Sequence, residues 1–264
     1  MNASDICLII PTYNERDNIV PLITNIDAAL SDISWEALFV DDSTDGTDHL
    51  LTDLCRDDPR IHLLHRIENR GGLAGAVVDG LVKAQSTYLC VLDADLQHPP
   101  TRIPELLAEA RRTSADLVIA SRYMDGGSSG GLDGPLRKFA SHGLKALSQL
   151  VFPHRLAGIS DPLGGFFLLR RSVVQGVQLR PVGYKILLEI LVRCRWKIVS
   201  EIPYVFQPRL YCDSKADFRQ GVRFLRHLAT LAWDCSPLFS LTRRAHRQQV
   251  IETPVSPALL SHDR

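Results

Sequence analysis

The segment 88–100 reads YLCVLDADLQHPP and places two carboxylates and an amide at alternate positions. Its apolar opening has the length of a β-strand, and Asp93, Asp95 and Gln97 follow. Side chains two residues apart in an extended chain point to the same side, so the spacing predicts that three oxygen-bearing side chains converge. Such a half-shell suits Mg²⁺ or Mn²⁺, whose other positions are commonly filled by water and substrate phosphates. We interpret the segment as a divalent-metal site; a surface turn rich in Asp is the alternative interpretation.

Apolar runs of strand length alternate with helical periodicity, which favours an α/β fold with a mostly parallel, doubly wound sheet. The predicted strands cover residues 6–10, 37–40, 61–64, 88–92, 116–120, 166–169 and 198–206. The predicted helices lie at about residues 19–26, 74–84, 103–112, 136–151, 186–194 and 216–233. Pro11 is expected to end the first strand, and Pro99 and Pro100 to keep the metal segment a loop. Ligands bind at the carboxyl ends of strands in such sheets, where this segment falls.

Composition places the chain among soluble globular proteins. Its 264 residues are 45% hydrophobic and 23% charged, which allows one large α/β domain or two small ones. Lys and Arg number 30 and Asp and Glu number 30, so the net charge gives no argument for nucleic acid as a partner. Six cysteines without metal-site spacing indicate reduced thiols in a cytoplasmic setting. The polar start predicts no signal peptide, and no apolar run reaches the ~20 residues that a membrane span requires.

The predicted helix at 216–233 is amphipathic and allows two interpretations. It is either a helix packed on the core with a basic solvated side, or a helix at an anionic membrane surface. The apolar face is expected to contain Phe218, Val222, Leu225, Leu228, Ala229 and Ala232, and the other face Arg219, Arg223, Arg226 and His227. Basic residues just beyond it support the membrane interpretation, namely Arg243, Arg244, His246 and Arg247.

Longer motifs resemble the inverting GT-A glycosyltransferases of family 2, and more narrowly the dolichyl- or polyprenyl-phosphate mannose synthases. In the first half they are PTYNE at 11–15, VDDSTDGT at 40–47, DADLQHPP at 93–100 and SRY at 121–123. In the second half they are SDPLGGFF at 160–167, GYKILLE at 183–189 and FQPRLYCDSK at 206–215. The resemblance covers about residues 6–230. It implies a Rossmann-like GT-A catalytic domain at 1–215, an amphipathic, membrane-associating segment at 216–247 and a disordered tail at 248–264.

The resemblance also implies a binding site for a nucleotide sugar, with GDP-mannose as the expected donor. Tyr13 would offer an aromatic face, Glu15 would accept ribose hydroxyls and Asp42 would accept a base N–H. The residues expected to contact the nucleoside are Pro11, Tyr13, Glu15, Val40 and Asp42. Taken alone, Pro11 is equally a strand stop and Asp42 a helix-capping residue.

The donor's diphosphate is expected next to the metal segment. Asp93, Asp95 and Gln97 would hold Mg²⁺ or Mn²⁺ there, next to Ala94, and the metal would stabilise the leaving nucleoside diphosphate as a Lewis acid. Cationic donors to the diphosphate would come from Arg122, Arg209 and Lys215, the last two from a loop able to close. Each of these cations alone is equally a solvated surface charge.

Arg137 and Ser141 match the positions that bind the acceptor phosphate in this family. They lie four residues apart, so one helix face would present both, although a surface Arg and a helix Ser are the generic interpretation. A phosphate monoester is largely dianionic at neutral pH, because its second pKa is about 6, and it needs no strong general base. Arg137 would position it for in-line attack with inversion. The expected catalytic residues are Asp95, Arg122, Arg137, Ser141, Arg209 and Lys215.

We therefore expect a metal-dependent hexosyltransferase that moves mannose from GDP-mannose to a polyprenyl phosphate. The enzyme would be peripheral at the cytoplasmic face of a membrane, with a membrane protein as a further candidate partner. The alternatives are UDP-glucose as donor, a sugar hydroxyl as acceptor, and a non-catalytic nucleotide-sugar-binding regulator. A hydroxyl acceptor would require a general base near Asp95 that the sequence does not identify. The chain departs from the family at Cys212, where a closing-loop Gly is usual, and at residues 86–87 and 163–164.

Overall fold

The computed structural model describes residues 4–68, 70–130, 135–180, 184–208 and 218–235, with only the helical backbone given for 135–140 and 218–220. The strands are β1 (Ile6–Thr12), β2 (Trp35–Asp41), β3 (Ile61–His65), β4 (Tyr88–Val91), β5 (Leu117–Ser121), β6 (Phe167–Arg170) and β7 (Val199–Pro203). The helices are α1 (Arg16–Ala29), α2 (Thr47–Asp57), α3 (Gly72–Lys83), α4 (Ile103–Thr113), α5 (Pro135–Val151), α6 (Pro153–Leu156), α7 (Ile186–Arg193) and α8 (Phe218–Cys235). All predicted elements are present; α2 and α6 were not predicted.

Within the described residues, the strands form one seven-stranded sheet in the order β3-β2-β1-β4-β6-β5-β7. All neighbours pair in parallel except β6, which runs antiparallel to both β4 and β5. The prediction of a mostly parallel GT-A-type sheet flanked by helices is therefore confirmed.

Helices cover both faces of the sheet. Along β1, Ile6, Leu8 and Ile10 pack into a core shared with α1, α2 and α4, while Cys7 and Ile9 pack into a second core shared with α3, α7 and α8. Strands buried on both faces are apolar at consecutive positions, which explains why the strand-forming runs show no polar alternation.

Pro11 does not end β1, which continues to Thr12. Alternate residues of a parallel strand form hydrogen bonds to the same neighbouring strand. Ile9 faces β4, so an N–H at position 11, which proline lacks, would face β4 as well. β4 pairs with β1 only as far as Ile9 and ends at Val91. Proline is tolerated here because no β4 carbonyl lies opposite it.

Helix α8 packs against α7, but with a different face than the sequence suggested. Its buried side chains are Phe224, His227, Leu228 and Leu231. Val222 and Leu225, expected on the apolar face, are exposed, and Trp233 is exposed as well. Buried polar contacts set this rotation: His227 Nε2 lies 2.9 Å from Glu189 Oε2 in α7.

Helix α8 forms part of the segment that was predicted to follow the catalytic domain. None of the helices in the described residues has the length and apolarity needed to cross a bilayer. The region beyond 235, with its predicted basic residues and tail, lies outside the described residues, so the division into domains stays a prediction.

Gly80 determines how closely α3 approaches the sheet. A Cβ at this position would lie 2.5 Å from Ile9 Cγ2 and 3.2 Å from Val40 Cγ2. Both atoms belong to buried, β-branched side chains of neighbouring strands that cannot move aside easily.

We predict that Gly80→Ala lowers the free energy of unfolding by about 1–3 kcal/mol, because overpacking outweighs the better helix propensity of Ala. The matched control is Gly143→Ala in α5, where an added Cβ meets no atom within 4 Å. That change should raise the free energy of unfolding by up to about 1 kcal/mol. Urea denaturation measures both, and equal stability of the two variants would contradict the close approach of α3.

Candidate active site

The candidate site residues lie at one edge of the sheet. The parallel neighbours β2, β1 and β4 deliver the segments 41–43, 13–15 and 93–97 to this edge. β5 runs in the same direction and delivers residues 121–123. Because β6 is antiparallel, the segment 161–165 that precedes it begins at the same edge.

The metal segment is a turn and not an extended chain. β4 ends at Val91, and Leu96 has a φ of 62°, so the expected alternation of side chains is wrong here. The backbone N–H of Gln97 instead donates to Asp95 Oδ1 at 3.1 Å, and Gln97 Nε2 donates to the carbonyl of Gln207 at 2.9 Å. Asp95 and Gln97 are buried, and Asp93 is partly exposed. One hydrogen bond within the turn and one to Gln207 thus fix its conformation.

His98 supports this turn from below. Its ring stacks on Phe166 with centroids 5.2 Å apart and contacts Tyr204 and Phe206. Burial lowers the pKa of His98 from its usual 6.5 to about 4, so the ring is neutral at physiological pH. Its Nδ1 accepts the backbone N–H of Asp93 at 2.9 Å, which places the ring proton on Nε2.

The donor set of this turn fits a hard divalent cation. Asp93 and Asp95 offer carboxylates, and Gln97 offers Oε1 because its nitrogen is used by Gln207. Within the described residues no three His, Cys, Asp or Glu side chains form a metal-binding group, so a metal here would need further oxygens from a ligand. Gly165 leaves space for the Asp93 carboxylate: a Cβ would lie 3.5 Å from Asp93 Oδ2 and 3.1 Å from His98 Cε1.

Arg122 and Asp161 form a buried ion pair beside the metal turn. Arg122 Nε and Nη2 donate to the two Asp161 carboxylate oxygens at 2.8 and 2.9 Å. Burial acts to lower the pKa of Arg122, but the Asp161 carboxylate raises it above its ordinary value. Glu201 of β7 accepts the backbone N–H groups of Ser160 and Asp161 and holds this loop. Arg122 is thus engaged by Asp161, and its predicted contact with the diphosphate stays a prediction.

Ser141 lies in a small polar cluster on α5, next to the Arg122 pair. Its Oγ lies 2.9 Å from the hydroxyl of Tyr123, and Lys145 Nζ lies 4.7 Å from the centre of the Tyr123 ring. Arg122 lies 5.3 Å from the same ring. The backbone of α5 places Arg137 one turn before Ser141 and Lys145 one turn after it.

The expected nucleoside pocket is only partly built from side chains. Tyr13 is 45% exposed, so part of its side chain faces solvent. Both carboxylate oxygens of Asp42 are held by the guanidinium of Arg66, which also donates to Asp79. Asp42 is therefore not a helix cap, since α2 has Gly46 at its N-cap.

Four expected nucleoside or diphosphate contacts need a correction or a closer definition. The side chains of Val40 and Ala94 lie in the hydrophobic cores, so only their main chains could contact a ligand. Pro11 is buried within β1, and the Glu15 carboxylate accepts from Asn18 Nδ2 at 2.6 Å.

Several expected residues lie outside the described residues. Arg209 and Lys215 belong to this group, as does Cys212, and the side chain of Arg137 is likewise not described. Their roles stay predictions.

Some residues of the site carried no predicted role. Asp161 and Lys185 lie within recognised motifs, and His98 lies within the metal motif. These motifs were the sequence signal that could have identified the three residues. Arg66 had no such signal because its partner Asp42 is 24 positions away in the chain.

A family model described as glycosyl transferase family 2 matches residues 7–177. The chain belongs to glycosyl transferase family 2. The match includes the metal turn, the Arg122 pair and the strands that deliver them.

Curated relatives of this family 2 chain are also similar over most of its length. The dolichol-phosphate mannosyltransferase of Pyrococcus furiosus is 39% identical over 228 residues, which are 86% of this chain and 63% of that protein. This chain thus spans less than two thirds of the archaeal relative. The protein of the same name from Saccharomyces cerevisiae is 30% identical over 85% of both chains.

The fold is shared with solved structures. Glucosyl-3-phosphoglycerate synthase from Mycobacterium tuberculosis, in complex with Mn²⁺, UDP-glucose and glycerol 3-phosphate, superposes with a TM-score of 0.63. It is 18% identical, and the match covers 88% of this chain and 80% of that one. At this identity the likeness shows the fold of the family 2 domain.

We predict that Gly165→Ala weakens Mn²⁺ binding at least about tenfold, because the added methyl group displaces the His98 ring, which holds the backbone N–H of Asp93, by a few tenths of an ångström. Gly164→Ala is the control, since a Cβ there meets its nearest atom at 3.5 Å, an ordinary contact. Calorimetric titration with MnCl₂ compares the two, and equal affinities would show that the space beside Asp93 has no role.

The pKa of His98 predicts a pH dependence of stability. A base whose pKa is about 4 when folded and 6.5 when unfolded takes up its proton on unfolding, so stability falls as pH drops from about 6.5 to about 4. The loss attributable to His98 is up to about 3 kcal/mol. His98→Asn should be less stable at pH 7 but should lose less stability on acidification. Urea unfolding at several pH values tests this, and parallel curves for both proteins would refute it.

Proposed function

We propose that this chain transfers mannose from GDP-mannose to a polyprenyl phosphate, with inversion at the anomeric carbon. The observation that carries the proposal is that two groups able to bind phosphate, one through a metal ion and one directly, lie at one sheet edge. One is the oxygen-donor turn of Asp93, Asp95 and Gln97, and the other is the Ser141–Tyr123 cluster, with the Arg122–Asp161 pair next to both. The curated relatives named dolichol-phosphate mannosyltransferase support the choice of sugar and acceptor.

The donor would bind across the ends of β1, β2 and β4. Tyr13 would stack on the base, Glu15 would accept from the ribose hydroxyls and Asp42 from a base N–H, and the diphosphate would extend to the metal turn. A bound Mg²⁺ or Mn²⁺ would supply Lewis-acid stabilisation of the departing diphosphate. Asp93, Asp95 and Gln97 would hold the ion, and Arg209 and Lys215 would add positive charge from the segment after Gln207.

The acceptor would be activated by position and not by a base. Its phosphate is largely dianionic at neutral pH, so an oxygen can attack C1 directly while the bond from C1 to the diphosphate breaks. His98 is neutral, buried and engaged at Nδ1, so it is unsuited to a general-base role. Arg137, Ser141 and Lys145 would orient the phosphate on one face of α5. This arrangement favours a phosphate acceptor over a sugar hydroxyl.

A lipid acceptor places the enzyme at a membrane surface. Helix α8 turns Val222, Leu225 and Trp233 outward together with Arg223 and Arg226. Apolar and cationic side chains on one exposed helix face suit the interface of an anionic bilayer. We therefore propose peripheral attachment at the cytoplasmic face, with α8 docked on the catalytic domain through its other face.

The decisive assay incubates the protein and Mn²⁺ with a polyprenyl phosphate and, in parallel, GDP-mannose or UDP-glucose. We predict an organic-extractable, sugar-labelled product from GDP-mannose, and a loss of at least about a hundredfold in turnover for Arg137→Ala. The control is Arg56→Ala, a surface arginine of α2 that should retain full turnover.

Each outcome of this assay has a clear consequence. Product from UDP-glucose alone would replace the proposed donor. Undiminished turnover by Arg137→Ala would remove Arg137 from the mechanism, and no lipid-linked product from either donor would refute the proposed function.

A further inference from the structure

Lys185 lies where the metal turn, the Asp161–Gly165 loop and helix α7 meet. It is the N-cap residue of α7, and its Nζ donates to the carbonyl of Leu163 at 2.8 Å. The charged groups that act on its ammonium are Arg122, Asp161 and Asp93. The ammonium is therefore located between a proposed metal ligand and the Arg122 pair.

Arg122, Asp161 and Asp93 together carry one net negative charge, which balances the ammonium in sum, but neither carboxylate pairs with Lys185 directly. Both oxygens of Asp161 are used by Arg122, and His98 is neutral. Within the described residues no carboxylate forms an ion pair with Lys185, and the Leu163 carbonyl is its one hydrogen-bond acceptor. An ammonium has three N–H donors, and besides the Leu163 carbonyl the ammonium contacts the ring of Tyr184, whose centre lies 4.7 Å from Nζ.

The position is an unfavourable one for an unpaired cation. Burial, and next the neighbouring Arg122, lower the pKa of Lys185 to about 8. Lys185 is partly exposed, so its ammonium can be reached by a ligand from outside. A purely structural tether from α7 to Leu163 would need one neutral donor and no charge. A charged and partly exposed ammonium with one oxygen acceptor is thus suited to an anionic ligand at this point.

We propose that Lys185 binds a phosphate oxygen of the substrates, beside the metal turn. The proposal rests on the proposed function and adds a cation supplied by the rigid part of the site. The phosphate has two sources: the diphosphate of the nucleotide sugar, which meets the turn of Asp93, and the phosphate of the lipid acceptor, which would approach from Tyr123 and Ser141. Lys185 lies between the two groups, and binding experiments separate them.

The test uses the full chain with Lys185→Met, which keeps the aliphatic stem, and Lys185→Arg, which keeps the charge. Lys83→Met, an exposed lysine in the last turn of α3, is the matched control. The probes are Mn²⁺ alone, GDP with Mn²⁺, UDP with Mn²⁺, and a polyprenyl phosphate in the transfer assay. Calorimetry gives the dissociation constants, and steady-state kinetics give KM and kcat for the lipid.

If Lys185 binds the donor's diphosphate, Lys185→Met weakens binding of the nucleotide with Mn²⁺ at least about tenfold, the value of one charge-assisted hydrogen bond. Binding of Mn²⁺ alone stays equal or becomes tighter, because a positive charge next to Asp93 is removed. If Lys185 binds the acceptor, nucleotide binding is unchanged and KM for the lipid rises at least about tenfold. In both cases Lys185→Arg weakens nucleotide binding, or raises KM for the lipid, less than Lys185→Met does.

A merely structural role gives a different pattern. Lys185→Met would then lower the unfolding midpoint and weaken Mn²⁺, nucleotide and lipid alike, and Lys185→Arg would bring no selective recovery; this result overturns the proposal. Unchanged nucleotide binding together with unchanged lipid KM overturns it as well. Should the Met variant fail to fold, Lys185→Gln, which retains a neutral N–H donor, takes its place. Failure of the wild type to bind either nucleotide would instead refute the proposed function, and the Lys185 proposal with it.

Discussion

The buried ion pair of Arg122 and Asp161 is the interaction on which the site depends. It joins the end of β5 to the loop that enters β6. The Glu201 carboxylate of β7 accepts backbone N–H groups of that loop. The three strands are neighbours at the one place where the sheet reverses direction. Removing one partner of such a pair leaves an uncompensated charge and costs about 3–5 kcal/mol. The loop position that the chemistry requires is therefore tied to the stability of the sheet.

This pair also organises the groups on either side of it. The Arg122 guanidinium lies 5.6 Å from the ring of Phe206, which in turn contacts His98 under the metal turn. On the other side the same guanidinium lies against Tyr123, whose hydroxyl meets Ser141. One buried cation thus contacts the supports of both proposed phosphate sites. Its charge is paired with Asp161, and the guanidinium fixes how far these supports lie from each other.

The sequence was most informative where function is carried by short, contiguous segments. The Asp93–Gln97 segment and its place at the ends of parallel strands could be found, because alternating apolar runs and helices determine the sheet edge. Its conformation could not, since a period-two argument assumes a strand, and β4 ends two residues before Asp93. Val40 and Ala94 were named as contacts through the family motif, which does not reveal that their side chains point into the core.

Contacts between distant parts of the chain could not be predicted from short segments either. Asp161 meets Arg122 across 39 positions, and Glu189 meets His227 across 38. The second pair also explains the wrong face predicted for α8. Hydrophobic periodicity ranks His227 as a surface residue, whereas a buried carboxylate on α7 draws it inward and turns Val222 and Leu225 out. Arg193 donates to Glu189 Oε1, whereas His227 meets Oε2, so the buried polar contact fixes a rotation of α8 that the apolar pattern alone does not predict.

Helix α7 links the reaction site to α8. Its N-cap, Lys185, reaches the Leu163 carbonyl beside the metal turn, and Glu189, one turn further, holds His227 of α8. The last residue of α7, Arg193, forms an ion pair with Asp234 near the end of α8 at 2.7 Å. An eight-residue helix is about 12 Å long and rigid, so α8 and the Lys185 ammonium keep a fixed relation. If α8 rests on a bilayer, that same relation sets the height of the site above the lipid surface.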